Sequence, residues 1–281
     1  ELATAELWRS VGLEPSAMVG HSVGEYTAAC LAGVMSVEDA VRILAERARL
    51  MDAQEQGSML SVRLPGEELE EFLDHELLAL AAVNGPSLSV ASGPDEAIDE
   101  LARRLKERGV ECTPLHTSHA YHSPMMDPAL EPFREIFQGV RLSEPDIAFV
   151  STVTGGWITA EEATAPEYWV RQIRSTVRFR DAVLQVAAGA DALVEVGPGR
   201  TLATLARQSV PDQDVPILAS LPHPREDLPS RAAFLRAAGS LWTRGFQLDW
   251  TAVRRGNGRR VRLPTYPWER TSYWIDPPRR E

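Results

Sequence analysis

The stretch Gly20-His21-Ser22-Val23-Gly24-Glu25-Tyr26 places a serine in a G-x-S-x-G turn between an apolar strand, Ala17-Met18-Val19, and a small-residue helix from Tyr26 to Gly33. A serine on so tight a strand-to-helix turn presents its hydroxyl at the sheet edge, with the next N–H, that of Val23, aimed at whatever the oxygen attacks. That is the geometry of an acyl-transferring nucleophile. A serine hydroxyl is a weak nucleophile without a base, and six histidines bound the search for one. His21 adjoins the serine, but neighbours in a tight turn point apart, so packing or a turn hydrogen bond is its expected role. His75 closes a predicted helix and reads as a C-terminal cation. His223 lies between prolines and is expected to face solvent. The other three fall together in His116-Thr117-Ser118-His119-Ala120-Tyr121-His122, and one of these is the expected base. Zinc is the rival explanation for their spacing. With Thr117 β-branched and Pro124 two residues past His122, the segment is not expected to be a helix presenting three imidazoles on one face, and no metal site is assigned.

A long helix beginning at Ser36 carries an independent signal. At helical spacing around Arg47 stand Ile43, Leu44, Leu50 and Met51, while Arg42, Glu46 and Arg49 point to the opposite side. A guanidinium among aliphatic neighbours must find a carboxylate or strand its charge at a cost of several kcal/mol. Taken alone, a structural ion pair with an acidic residue of this chain is the commoner outcome. The other is a carboxylate on the substrate, held bidentately.

The elements that must position these groups follow an α/β order. Residues 1–56 read as helix, strand, nucleophile turn, helix and long helix; the abrupt opening, Leu2, Leu7 and Trp8 in helical register without a cap, suggests a domain entered part-way. Residues 57–117 change rhythm. Short runs at Met59–Val62, Leu78–Val83, Leu88–Ala91 and Val110–Leu115, with helices at Glu67–His75 and Pro94–Arg108, give β-α-β-β-α-β, expected as a ferredoxin-like insertion. Residues 118–221 return to α/β, with strands at Ile147–Ser151, Ala192–Val196 and Val215–Ala219 and helices between them, so the main sheet is expected to be mostly parallel. The histidine cluster then sits where the insertion rejoins the main unit, a boundary that forms a cleft. From 222 to 281 prolines and aromatics surround one predicted helix, Ser230–Gly245, and this part is expected to lie along another surface rather than build a core.

Composition sets the outer bounds. The 281 residues, 44% hydrophobic, suffice for one large domain with an insertion. A net charge of −11 argues against nucleic acid and anionic membrane as partners. No apolar run approaches the roughly 20 residues of a spanning helix. Two cysteines, Cys30 and Cys112, lack metal-type spacing, so a reducing, cytoplasmic setting is expected.

Together these motifs resemble the acyltransferase domain of type I polyketide synthases, relatives of malonyl-CoA:acyl-carrier-protein transacylases. Gly20–Tyr26 resembles the family's GHSxGEY elbow, Arg47-Ala-Arg-Leu-Met51 its RxxLM helix and Ala82-Val-Asn84-Gly85-Pro86 its small-domain loop. His119-Ala-Tyr-His122 resembles the HAFH signature, Glu195-Val-Gly-Pro-Gly199 the late strand-turn, and Leu263-Pro-Thr-Tyr-Pro-Trp268 through Trp274 the linker after the domain. The resemblance covers nearly the whole chain and implies an α/β-hydrolase-like large subdomain with an inserted ferredoxin-like small one. It implies Ser22 as nucleophile, His122 as general base, His119, His21 and Tyr121 as pocket residues, Val23 N–H in the oxyanion hole and Arg47 on a malonyl carboxylate. It further implies that a main-chain carbonyl near Ser175 orients the base, so no triad aspartate is needed.

The implied reaction is ping-pong, from malonyl-CoA through a seryl ester to the phosphopantetheine thiol of an acyl carrier protein, with no resident cofactor and with adjacent ketosynthase and linker domains as partners. The family's second oxyanion donor belongs to a Gln in an upstream Gly-Gln-Gly segment that this sequence does not contain. An N-terminal portion is therefore expected to be missing, at about 10²–10³ in rate for one lost donor. Val23 and the His-Ala-Tyr-His segment resemble malonyl-selective members; methylmalonyl-selective ones show Gln and Tyr-Ala-Ser-His. Tyr121 is expected to fill the space of an α-methyl, worth about 1–3 kcal/mol. Two rival readings are an α/β-hydrolase-type esterase or thioesterase using Asp191 and His223, and a docking fragment acting through its tail. The arginines at 254, 255, 259, 260 and 262 read as a solvated turn, with carrier-protein docking as the alternative.

Overall fold

The computed structural model describes residues 1–211, 214–254, 261–271 and 273–275. The large subdomain opens with α1 (Leu2–Ser10), β1 (Ala17–Val19), α2 (Gly24–Leu31) and α3 (Val37–Asp52). The start of α3 falls where Ser36 predicts it: the Ser36 hydroxyl accepts the Asp39 N–H at 3.0 Å, satisfying one of the first-turn donors.

The insertion follows as β2 (Ser58–Val62), α4 (Gly66–Glu70), β3 (Ala79–Gly85), β4 (Leu88–Gly93), α5 (Asp95–Glu107) and β5 (Cys112–Pro114). Its four strands form one antiparallel sheet in the order β3-β4-β2-β5, with Leu60 opposite Ala91. This is the ferredoxin-like β-α-β-β-α-β arrangement. Leu60, Val62, Leu69, Ile98, Leu101 and Leu105 bury its own core between sheet and helices. α4 stops at Glu70, short of the predicted end at His75, where turns take over. Glu67, Glu68, Glu70 and Glu71 place like charges at i, i+3 and i, i+4, which works against a longer helix.

The large subdomain resumes with a 3₁₀ turn (Pro124–Met126), α6 (Asp127–Ile136), β6 (Ala148–Val150), α7 (Ala160–Thr164), α8 (Pro166–Arg174), α9 (Phe179–Ala187), β7 (Leu193–Glu195), α10 (Thr201–Ser209) and β8 (Ile217–Ala219). α7 was not expected, although Thr159 and Glu162 close a capping box at its start. The main sheet is parallel, as two pairs: β1 beside β6 and β7 beside β8. α9 covers both pairs, with Ala182 and Val186 buried against Val150, Val19 and Leu193. The subdomains are tied by main-chain bonds from the α8–α9 connection to β3: Val83 N–H to Val177 O and Val177 N–H to Ala81 O, both 2.9 Å.

The C-terminal part divides differently from the expectation. α11 (Ser230–Trp242) and α12 (Trp250–Val253) do build a core, because Phe234, Ala237, Ala238, Leu241 and Val253 bury against Trp8 and Val11 of the first helix and its end. The Trp8 indole N–H donates to Ser220 Oγ at 2.7 Å, fixing the same contact. Only past residue 260 do the described residues match the linker reading: Leu263, Tyr266, Trp268, Tyr273 and Trp274 are all exposed. Of the arginine run, positions 255, 259 and 260 lie outside the described residues. Among the described residues no helix is long and apolar enough to cross a membrane.

Candidate active site

The elbow is a strained turn held by its glycine. Ser22 has a φ of 50°, in the left-handed region that non-glycine residues rarely adopt. A Cβ on Gly20 would lie 2.1 Å from the Gly24 carbonyl carbon, so no larger residue fits beneath the turn. Val23, at the start of α2, keeps its N–H free of any acceptor among the described residues.

The base arrives from the boundary between the subdomains. His122 Nδ1–H donates to the Ser175 carbonyl at 2.8 Å, which leaves Nε2 unprotonated to accept the Ser22 hydroxyl at 2.9 Å. His122 also has a positive φ, 61°, so both members of the pair are held in the same uncommon backbone state. Burial, the nearby charge of Arg47 and His21 lower the His122 pKa to about 3. The ring therefore stays neutral and able to take a proton.

Of the remaining histidines, none reaches the serine oxygen. His119 is buried, accepts the Ser118 hydroxyl at Nδ1 and donates from Nε2 to Gln54 O, 2.8 and 3.2 Å. Its ring lies 6.0 Å from that of Tyr121, which is partly buried where two core clusters meet. His21 bridges to the small subdomain, its Nε2–H donating to Asn84 Oδ1 at 2.8 Å, and burial lowers its pKa. His75, His116, His223 and Asp191 are exposed, and His223 Nδ1 accepts the Arg225 N–H rather than serving Ser22. Among the described residues no group of three metal-ligating side chains comes together.

Arg47 is 5% exposed, and its Nε and Nη2 have no hydrogen-bond partner. The structural ion pair expected from spacing alone does not form with any described residue. By contrast Arg42 and Arg49, on the other side of α3, pair with Asp39 and Glu46 at the surface. The Arg47 guanidinium stands over the Tyr26 ring, 5.9 Å from its centre, and close enough to His122 to lower that ring's pKa. It is a buried cation facing the site with donors to spare.

Two residues at the site were missed from sequence. Gln172 on α8 is 2% exposed and donates from Nε2 to the Ser22 carbonyl at 2.8 Å, while its Oε1 has no partner. The signal was present: 169, 172 and 173 lie on one face of α8, and a glutamine among Trp169 and Ile173 is as out of place as Arg47 on α3. Glu25, one residue past the G-x-S-x-G turn, reads as a charge at a helix N-terminus. It is instead fully buried, accepting from Thr152 N–H, Thr152 Oγ1 and the Tyr168 hydroxyl, and burial raises its pKa.

The sequence profile of the acyl transferase domain family matches residues 1–247. The chain belongs to that family. This acyltransferase domain is 40% identical, over 98% of its length, to polyketide synthase GfsB of Streptomyces halstedii, of which it spans 5%. It is 38% identical over 98% of its length to the mycoketide-CoA synthase of Mycobacterium tuberculosis, spanning 6% of it. The chain thus corresponds to a small part of each of these much longer proteins. Among solved structures, the acyltransferase domain from the second module of the salinomycin polyketide synthase superposes with a TM-score of 0.85 at 38% identity, over 90% of this chain and 60% of that one. The acyl transferase domain of SpnD, solved in complex with 2-(pent-4-yn-1-yl)malonyl, gives 0.84 at 36%, over 90% and 61%.

Proposed function

We propose that this acyltransferase domain moves a malonyl-type extender group from CoA to the phosphopantetheine thiol of an acyl carrier protein, within a polyketide synthase. The observation that carries this reading is Arg47, a buried guanidinium with two unpartnered nitrogens beside a relayed serine. An esterase for neutral acyl groups has no use for such a cation, whereas a free carboxylate on the acyl group satisfies it bidentately. The malonyl-derived ligand of the SpnD domain supports the same assignment.

In the acylation half, the Ser22 hydroxyl proton passes to His122 Nε2 as Oγ bonds to the thioester carbonyl carbon. The carbonyl oxygen becomes an oxyanion and takes the Val23 N–H. Collapse of the intermediate breaks the C–S bond, and the CoA sulfur leaves with the proton from His122. In the second half the carrier thiol gives its proton to His122, attacks the seryl ester, and Ser22 Oγ departs with that proton. Ser175 O holds the imidazolium through both halves. Tyr121 and His119 shape the acyl pocket and favour malonyl over methylmalonyl, and His21 joins the pocket to the small subdomain through Asn84. Residues 57–117 form one wall of the cleft, against a large subdomain of 1–56 and 118–221. The exposed aromatics of 261–275 support a second role, packing on neighbouring ketosynthase or linker domains.

Mass spectrometry of the Ser22 ester after mixing with malonyl-CoA tests the assignment. Malonylation is expected in the unmodified protein and in His223→Ala, and is expected to vanish in Ser22→Ala and His122→Ala. Loss in His223→Ala with retention in His122→Ala favours the hydrolase arrangement instead, and a preference for methylmalonyl-CoA overturns the selectivity.

A further inference from the structure

The amide of Gln172 bonds one particular peptide unit. Its Nε2–H reaches the carbonyl of Ser22, and that carbonyl shares a plane with the N–H of Val23. Fixing the oxygen end of a planar trans unit fixes the direction of its N–H. We infer that Gln172 is a positioning residue for acyl transfer: it locks the Ser22–Val23 peptide so that the Val23 N–H stays aimed at the developing oxyanion. The inference rests on the acyl-transfer reading of this site.

Several independent features agree. The Ser22 carbonyl already accepts the Glu25 N–H at 3.1 Å as the first bond of α2, so Gln172 completes its acceptor capacity. A donor on a carbonyl polarises the amide and makes the opposite N–H a better donor. Ser22 needs such external restraint, because its φ of 50° is not one the residue holds by itself. Gln172 also leaves its Oε1 buried without a partner. A purely packing residue on that face, among Trp169 and Ile173, would be apolar and would avoid this cost. The buried Glu25 carboxylate next to the elbow is itself held in place by Thr152 and Tyr168. One turn further along, Ser175 holds His122. A single turn of helix at the end of α8 therefore sets both the oxyanion donor, through a side chain, and the base, through the main chain.

The test compares the unmodified protein with Gln172→Met, of similar length but without a donor, and Gln172→Glu, of the same shape with an acceptor in its place. Burst acylation of Ser22 by p-nitrophenyl acetate reads the elbow without needing CoA or a carboxylate; malonyl-CoA is run in parallel. Both variants are expected to acylate about 10- to 100-fold more slowly with either substrate, less than the ~10²–10³ of losing a direct donor. In Gln172→Met, which changes no charge, the malonyl-CoA KM and the pH midpoint are expected to stay put, since Arg47 and the Ser175–His122 bond are untouched. Unchanged p-nitrophenyl acetate rates in either folded variant overturn the inference. A shifted pH midpoint in Gln172→Met overturns it too, since that places the effect on His122. A Gln172-dependent acetate burst in a protein inert to malonyl-CoA leaves the inference standing and removes the substrate assignment. Near-UV circular dichroism reports folding, and Gln172→Glu carries the comparison if Gln172→Met unfolds.

Discussion

Arg47 and His122 oppose each other: burial does most to keep the imidazole unprotonated, and the guanidinium's charge adds to it. Folded His122 binds its proton near pH 3, whereas a free imidazole does so near about 6.5. Between those values only the unfolded chain carries the proton. Stability is therefore expected to fall as pH drops through that window, at up to about 1.4 kcal/mol per pH unit, with no effect from this group above it. The acid limb of acetate acylation is expected to lie well below pH 6.5 and to move upward in Arg47→Met; an acid limb at the free-imidazole value refutes the neutral, buried base. The same variant is expected to lose about 10²-fold in malonyl acylation, the worth of two charge-assisted hydrogen bonds, while keeping acetate acylation. Its thermal midpoint is expected to rise, because an unpaired buried charge has been removed. Arg47 was legible because one charge stood among four aliphatic neighbours. Gln172 carried the same pattern in a neutral side chain, and polarity without charge stands out less.

At the scale of elements, the sequence periodicities located the start of α3, both ends of α5 and the whole of α11 to within a few residues, because each has an apolar face of helical spacing. The three-residue strands β1, β6, β7 and β8 were placed, but their pairing was not, since parallel partners come from distant segments. The helix α11 was recognised and its destination was missed: proline-rich flanks suggested a tether, while the apolar stripe at Phe234, Ala237, Ala238 and Leu241 already called for a partner. That partner, Trp8, lies 226 positions away from Phe234 and is invisible to local pattern. Ending the chain at 221 is expected to lay Trp8 and Val11 open, at about 3–5 kcal/mol for a large aromatic contact. Ending it at 254 is expected to leave the thermal midpoint within a degree or two. Equal midpoints for the two truncations refute a structural role for α11.

Across the whole molecule, the two-subdomain plan could be read from a change of rhythm along the chain, because a strand-rich insertion and an α/β host have different periods. The seam between them could not: it runs through the main-chain Val177–β3 hydrogen bonds, which any residue can make, and through the His21–Asn84 side-chain contact, whose partners lie in distant segments. That seam can be watched amide by amide. The Val83 and Val177 N–H groups are the main-chain donors that join the α8–α9 connection to β3, so their exchange with deuterated solvent reports parting of the two subdomains rather than unfolding of either. Slow exchange at both is expected for as long as the cleft keeps its shape.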